Sequence, residues 1–303
     1  RLGDFDEMFF DDAVIASKEL ELTLTGKDCG LEERAPMCGI PFHSASNYVA
    51  KLIKKGFKVA ICEQTEDPAL AKGLVKREVI RVITPGTVIE DNMLSEGENN
   101  YISSICLLNK NFGISFADTS TGEVYTSICQ CKKNKSLENA LGMFMPKEII
   151  CNSALIEKQE YVRLIKDKIN SDIQPLSDED YNLSSAKAVI ENHFKSSLLE
   201  LGIDGMDEAV CSLGALLMYL YNTQQKGLET LNKIKIFSDK KYMELDLTAR
   251  RNLELTETLR DKSKKGSLLW VIDKTKTAMG KRLMRSFLER PLVDVTRINK
   301  RLN

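Results

Sequence analysis

Two successive α/β domains followed by an α-helical segment are predicted by three features of this 303-residue chain. From Gly3 to Thr87 short apolar strands alternate with amphipathic helices, the pattern of an α/β unit. A second and longer alternation runs from about Asn99 to Thr230. Beyond about Thr248 the sequence turns helical and basic. The length suits about two domains at roughly 150 residues each, with part of a third.

The elements follow in order. Met8 to Leu20 reads as a helix and Leu22-Thr23-Leu24 as a strand ending at Gly26. A helix from Ser44 or Ala45 to Lys55 has a Ser cap, apolar Tyr48, Val49, Leu52 and Ile53 on one face, and Gly56 to end it. Phe57 to Cys62 is a strand, Asp67-Pro68 caps a short helix, and Val79 to Ile83 is a strand before the Thr84-Pro85-Gly86 turn. In the second block Tyr101 to Leu108, Gly113 to Asp118 and Val124 to Cys129 form a meander. Helices near Leu137 to Met145, Ile156 to Asn170 and Ser185 to Leu201 surround a strand, Glu148 to Cys151. Met206 to Gln225 is a further helix packed against that domain.

Composition removes several function classes. With 43% hydrophobic and 29% charged residues the chain is an ordinary globular one. Its 43 Lys and Arg nearly cancel 44 Asp and Glu, so any basic field is local. Arg250 to Asn303 holds fifteen Lys or Arg against six Asp or Glu, and a smaller cluster occupies residues 51 to 81. The eight cysteines contain no CxxC pair and read as reduced, cytosolic thiols. The two histidines, His43 and His193, are far apart, so a zinc site and a Ser-His-Asp triad both lack a nucleus. The longest apolar stretch is too short for a bilayer, and a start at Arg1 suggests a longer parent protein.

The opening Gly3-Asp4-Phe5-Asp6-Glu7-Met8-Phe9 is the most informative stretch. If it is extended, Phe5 and Glu7 project from one face and Asp6 from the other. By pattern alone Phe5 reads as a core residue and Glu7 as a solvated or salt-bridged neighbour. Other segments change the weighting: Phe9-Phe10-Asp11-Asp12-Ala13, Met37-Cys38-Gly39-Ile40-Pro41-Phe42-His43, Val59-Ala60-Ile61-Cys62-Glu63-Gln64 and Val82-Ile83-Thr84-Pro85-Gly86-Thr87. With Gly3-Asp4-Phe5, in this order and spacing, they resemble the mismatch-binding domain of the MutS family of DNA mismatch-repair proteins. Thr248-Ala249-Arg250-Arg251-Asn252-Leu253-Glu254, Ser267-Leu268-Leu269-Trp270 and Met279-Gly280-Lys281-Arg282-Leu283 resemble the start of that family's helical core, or lever. The resemblance covers essentially the whole chain.

It implies a mismatch-binding domain over 1–87, amino-terminally truncated and with a mixed sheet. A linker over 88–98, a ribonuclease-H-like connector over 99–230 and the start of the lever over 231–303 would follow. In the family the Phe of a Phe-x-Glu motif wedges into the duplex and stacks on a mispaired or unpaired base, and the Glu hydrogen-bonds that base. The matching residues are Phe5 and Glu7. An ionised Glu7 accepts from an N–H such as thymine N3–H, whereas a purine N7 needs the protonated carboxyl. Asp6 stands where the family usually has Tyr, and strand alternation makes that a matter of packing more than of readout. His43, Ser44, Lys72, Lys76, Arg77 and Arg81 are candidates for phosphate contacts, each competing with an ordinary solvated face.

Asp118, near the end of the meander's second strand, is similar to an acidic position of ribonuclease-H-like nucleases, which hold two metal ions. Two rival readings follow: a nuclease using Asp118, and a scaffold that docks MutL without reading bases. No GxxxxGK[ST] loop occurs, because Gly26-Lys27 is followed by Asp28 and Gly280-Lys281 by Arg282. The resemblance therefore places ATP and Mg, with the homodimer interface, in the full-length family member. It implies recognition of mismatched duplex DNA, not catalysis, with no cofactor in this stretch, MutL as a partner of the connector, and a cytoplasmic, nucleoid-associated protein.

Overall fold

A computed structural model of the chain describes residues 3–302, apart from 31, 67–72, 74, 91, 92, 95, 96, 132, 133, 225, 226, 239 and 240. The Asp67-Pro68 cap lies outside the described residues. The first domain begins with strand β1 (Phe5–Phe9) and helix α1 (Phe10–Leu20). Then come β2 (Thr25–Lys27), β3 (Ala35–Pro41), α2 (Ala45–Lys54), β4 (Val59–Gln64) and β5 (Arg77–Ile83). The expected helix from Met8 loses two residues to β1. Phe10 takes up the switch from strand to helix with φ of 53°, a left-handed conformation that is uncommon for an aromatic residue.

The sheet β1-β3-β2 is antiparallel throughout, and β4 and β5 form a separate antiparallel pair. This corrects the expected single mixed sheet. Strand β3 lies in the middle with β1 and β2 on its two edges, and β4, after α2, pairs only with β5. One face of the three-stranded sheet packs on α1: Met8 and Cys38 meet Ala13, Ala16, Leu20 and Leu52. The other face carries Phe5, Glu7 and Phe9, opposite Pro41, Gly39 and Met37. The strand expected at Leu22 to Leu24 forms three residues later, because its register is set by pairing with β3 from Thr25↔Met37 to Lys27↔Ala35.

The second domain is built on β6 (Ile102–Leu108), β7 (Asn111–Asp118) and β8 (Glu123–Gln130), an antiparallel meander as the turn signals predict. Next come α3 (Asn134–Phe144), β9 (Glu148–Cys151), α4 (Ser153–Ile156) and α5 (Gln159–Leu164), which runs into a π-helical turn over Ile165–Ile169. The chain continues with β10 (Asp172–Pro175), α6 (Leu183–Phe194), α7 (Asp207–Gln224) and β11 (Lys233–Ile236). Six strands form one sheet in the order β10-β9-β6-β7-β8-β11. The pairs β10–β9, β9–β6 and β11–β8 are parallel.

An aromatic core of Phe112, Phe116, Phe144 and Tyr161 fills one side of this sheet. On the other, Ile102, Ala117 and Val124 meet α6 and α7 through Ala186, Ile190, Leu213 and Leu217. Helix α6 stops earlier than expected, at Phe194, because Lys195 turns left-handed. Strand β11 carries the sheet past residue 230, where the helical segment was expected to begin.

That segment contains α8 (Leu247–Asn252), α9 (Leu268–Ile272), α10 (Ala278–Glu289) and α11 (Val295–Leu302). Asp246, Ser267 and Thr277 cap the first three with their side-chain oxygens. Arg250 donates to the Gly142 carbonyl, and Arg290 Nε donates to the Met143 carbonyl at 3.0 Å. Two cations thus finish the carboxyl end of α3, where the helix dipole favours positive charge. Among the described residues no helix is long and apolar enough to cross a membrane.

Candidate nucleic-acid interface

The outer face of β1-β3-β2 gathers the distinctive side chains. Phe5 is 49% exposed, whereas the large aromatics of the second domain, such as Phe112 and Phe116, are almost wholly buried. A core role for Phe5 is therefore set aside. Glu7 lies two residues along the same face, and Gly39 opposes it in the register. A Cβ built on Gly39 would stand 3.7 Å from the Phe5 ring and 3.8 Å from Glu7 Cγ. The glycine thus leaves a low floor beside both side chains.

Lys27, at the end of β2, donates from Nζ to Glu7 Oε2. The same ammonium lies 5.4 Å from the centroid of the Phe9 ring, within cation–π range. Asp6 sits on the inner face, paired with Ile40 and sharing that face with Met8 and Cys38, as alternation requires. The chain leaves β3 at Pro41, directly opposite Phe5, and enters a 3-10 turn over Phe42–Ser44. Phe42 N donates to the Asp4 carbonyl at 2.9 Å. This ties exposed His43, and Ser44, to the end of the sheet that carries Phe5. Ser44 Oγ donates to the Pro41 carbonyl at 3.1 Å.

Comparison with known proteins gives this geometry a context. Family models described as MutS domain I, MutS domain II and MutS domain III match residues 1–92, 100–235 and 248–303. A DNA mismatch repair protein MutS of Ruminiclostridium cellulolyticum is 49% identical over 304 aligned residues, covering 100% of this chain and 35% of the relative. Proteins of the same name from Lachnoclostridium phytofermentans and Acetivibrio thermocellus are 49% and 48% identical, over 99% and 100% of this chain and 32% and 35% of theirs. The chain belongs to the MutS family. It spans about a third of the length of these relatives.

Within this MutS chain the other candidates separate. Lys76 and Arg77 lie at the loop end of the β4–β5 hairpin, in a different sheet from β1. Lys76 pairs with Glu78 on the surface, and Arg77 Nη1 donates to the Val75 carbonyl at 3.3 Å. Lys72 lies outside the described residues. Arg81 needs correction as a phosphate contact, because its guanidinium is committed to protein partners. Its Nε donates to Gln224 Oε1 of α7 at 3.0 Å, Nη1 to Glu90, and Nη2 to the Thr87 carbonyl at 3.4 Å.

Asp118 is fully buried and takes donors from its own turn and from the segment before β6. These are Ser120 N at 2.9 Å, Ser120 Oγ at 2.6 Å, Asn100 N at 3.1 Å and Asn99 Nδ2 at 2.8 Å. A carboxylate with both oxygens bound this way shapes the β7–β8 turn. Among the described residues no group of three or more His, Cys, Asp or Glu is placed to hold a metal ion.

Reasoning from sequence missed Lys27 and the reason for Gly39. Lys27 carries no motif of its own, and its partner becomes apparent only once β2 and β1 are known to flank β3. Gly39 stands in the quoted Cys38-Gly39-Ile40 run. A glycine inside a strand leaves no side chain on that face, which is the signal it offered.

Proposed function

We propose that this chain recognises mispaired or unpaired bases in duplex DNA, with Phe5 as the stacking wedge and Glu7 as the hydrogen-bonding partner of the displaced base. The observation that carries this reading is a half-exposed phenylalanine on a strand face, beside a carboxylate and above a glycine floor. Stacking on an aromatic ring contributes roughly 1–3 kcal/mol per base and tolerates any base. Selectivity then comes from the duplex: unstacking and kinking cost less where pairing is already defective. His43 and Ser44, beside Phe5, are placed to contact phosphates that register the duplex, while Lys76 and Arg77 would have to reach it from the hairpin end.

We read the second domain as a ribonuclease-H-like connector, on the strength of its order: meander β8-β7-β6, then parallel β9 and β10. Asp118 shapes a turn there, so binding rather than cleavage is the role inferred for this chain. Neither Gly-Lys pair forms a phosphate-binding loop. Gly26-Lys27 lies in β2 with the lysine ion-paired to Glu7, and Gly280-Lys281 lies inside α10. Docking of MutL on the connector and pairing with a second MutS chain remain proposals drawn from the family.

The test is fluorescence anisotropy with a G·T-mismatched and a matched duplex at two salt concentrations, for this chain and for Phe5→Ala. Salt isolates the phosphate contribution. The expected result is a mismatch preference that falls about 10-fold or more in Phe5→Ala, while the salt slope stays the same. Equal binding of both duplexes by both proteins would overturn the reading for this chain.

A further inference from the structure

Lys27 is the basic residue whose contacts lie inside the Phe5–Glu7–Phe9 face. Its side chain is 40% exposed and that of Glu7 only 16%, so the carboxylate is held at the sheet while the lysine stem reaches it over Phe9. Two consequences follow from this geometry. Glu7 Oε2 is committed to an N–H donor, which fixes the carboxylate's rotamer and turns Oε1 into the oxygen offered to a base. The ammonium also offsets the negative charge that Glu7 would otherwise present to nearby phosphates.

We propose that Lys27 is a specificity-determining residue of the base-reading face, holding Glu7 as an oriented acceptor, so that bases presenting an N–H are favoured over those presenting a ring-nitrogen acceptor. The proposal rests on the reading that Phe5 and Glu7 face the displaced base. Lys27 is a positioning residue in this scheme, acting on the base through Glu7. A lysine that merely touched phosphate would strengthen binding to all duplexes alike.

The probes are a duplex with one unpaired thymine, which offers N3–H, a duplex with an A·A mispair, read through purine N7, and the matched duplex. Affinities are measured by anisotropy for the wild type, Lys27→Met, Lys27→Arg, Glu7→Gln, the Lys27→Met/Glu7→Gln double variant and Phe5→Ala, with folding checked by thermal melting. Lys27→Met is expected to reduce the thymine-over-adenine preference about 3- to 10-fold, the size of one net hydrogen bond. Lys27→Arg should restore it, and in the Glu7→Gln background Lys27→Met should leave the ratio unchanged. An unchanged ratio in Lys27→Met, or an equal loss on all three duplexes, would overturn the proposal while a sensitive Phe5→Ala left the base-reading function standing. Insensitivity of mismatch preference to Phe5→Ala would overturn both.

Discussion

A phenylalanine left half exposed forgoes a large part of the roughly 1.5–3 kcal/mol that full burial would contribute, and Phe5 does so on a face whose neighbours are a glycine and an ion pair. Environment assigns the roles of charged residues in the same way. Arg81 belongs by type to a basic cluster, yet its donors hold α7 and the segment after β5. Glu123 shows how such placement becomes a pH dependence. Burial pushes its carboxyl up, but the hydrogen bond from Lys235, with those from Tyr101 and Tyr125, outweighs burial and holds it below the usual carboxylate range. Lys235 moves the opposite way, raised by Glu123 against its own desolvation, so the two partners agree. A lowered carboxylate stabilises the fold above its unfolded value, and that contribution is lost as pH falls through its folded value. Glu123→Gln is therefore expected to lower stability by roughly 1–3 kcal/mol at neutral pH. In urea titrations the gap should close as pH drops below the usual carboxylate range, and a gap constant down to strong acid would contradict this account.

At the scale of elements, α7 shows what close approach requires. A Cβ on Gly214 would stand 2.4 Å from the Ala186 Cβ, and one on Gly113 would stand 1.7 Å from the Glu208 carbonyl oxygen. Helix α7 thus lies against α6 at one glycine, and its first turn lies against β7 at another. Overpacking such a contact costs about 1–3 kcal/mol or more. Gly214→Val is expected to lower stability by at least that much, seen as a lower urea midpoint at unchanged m-value, and a midpoint within error of wild type would mean that α6 yields freely. Helix α7 was legible in the sequence because it is long and continuously apolar, and the meander because turn residues separate three apolar runs. Strand β10 was not, since Asp172–Pro175 is four residues ending in proline. Strand β11 alternates Lys and Ile over Lys233–Ile236, a period-2 signal lost beside the expected helical segment. The displaced β2 depends on pairing with β3, and the separate second sheet on β4 pairing with β5 alone, tertiary choices that local pattern does not encode. Of the candidate site, Phe5 and Glu7 were legible through motif order, whereas Lys27 was not.

Across the whole molecule, the first two domains share a buried charge. Glu148 on β9 is fully buried and accepts from Tyr219 Oη at 2.7 Å, Lys58 Nζ at 2.7 Å, Gly86 N at 3.2 Å and Thr84 Oγ1. Lys58, Thr84 and Gly86 come from the first domain and the turn after it, so three of this carboxylate's four donors are supplied across the seam. A Cβ on Gly86 would stand 2.8 Å from Ile102 Cβ and 3.0 Å from Glu148 Cβ, which shows how closely the turn approaches the sheet. Burial and the neighbouring carboxylate both push the Tyr219 phenol well above its ordinary value, so it remains a donor through the neutral range. Separating the domains would give up the Arg81–Gln224 contact at the same seam. The two domains are therefore expected to unfold together. Glu148→Leu keeps an apolar volume on β9 but leaves Lys58, Thr84 and Tyr219 without their shared acceptor, a loss of about 1–3 kcal/mol from the unpaired donors. Lys58 is near enough to the surface to escape to water by undocking, which directs the cost to the seam rather than to the core of either domain. In calorimetry the wild-type chain should show residues 3–90 and the six-stranded sheet melting in one transition. Glu148→Leu should split it, with the first domain melting earlier, and an undivided transition with an unchanged midpoint would show that the seam is held by other contacts.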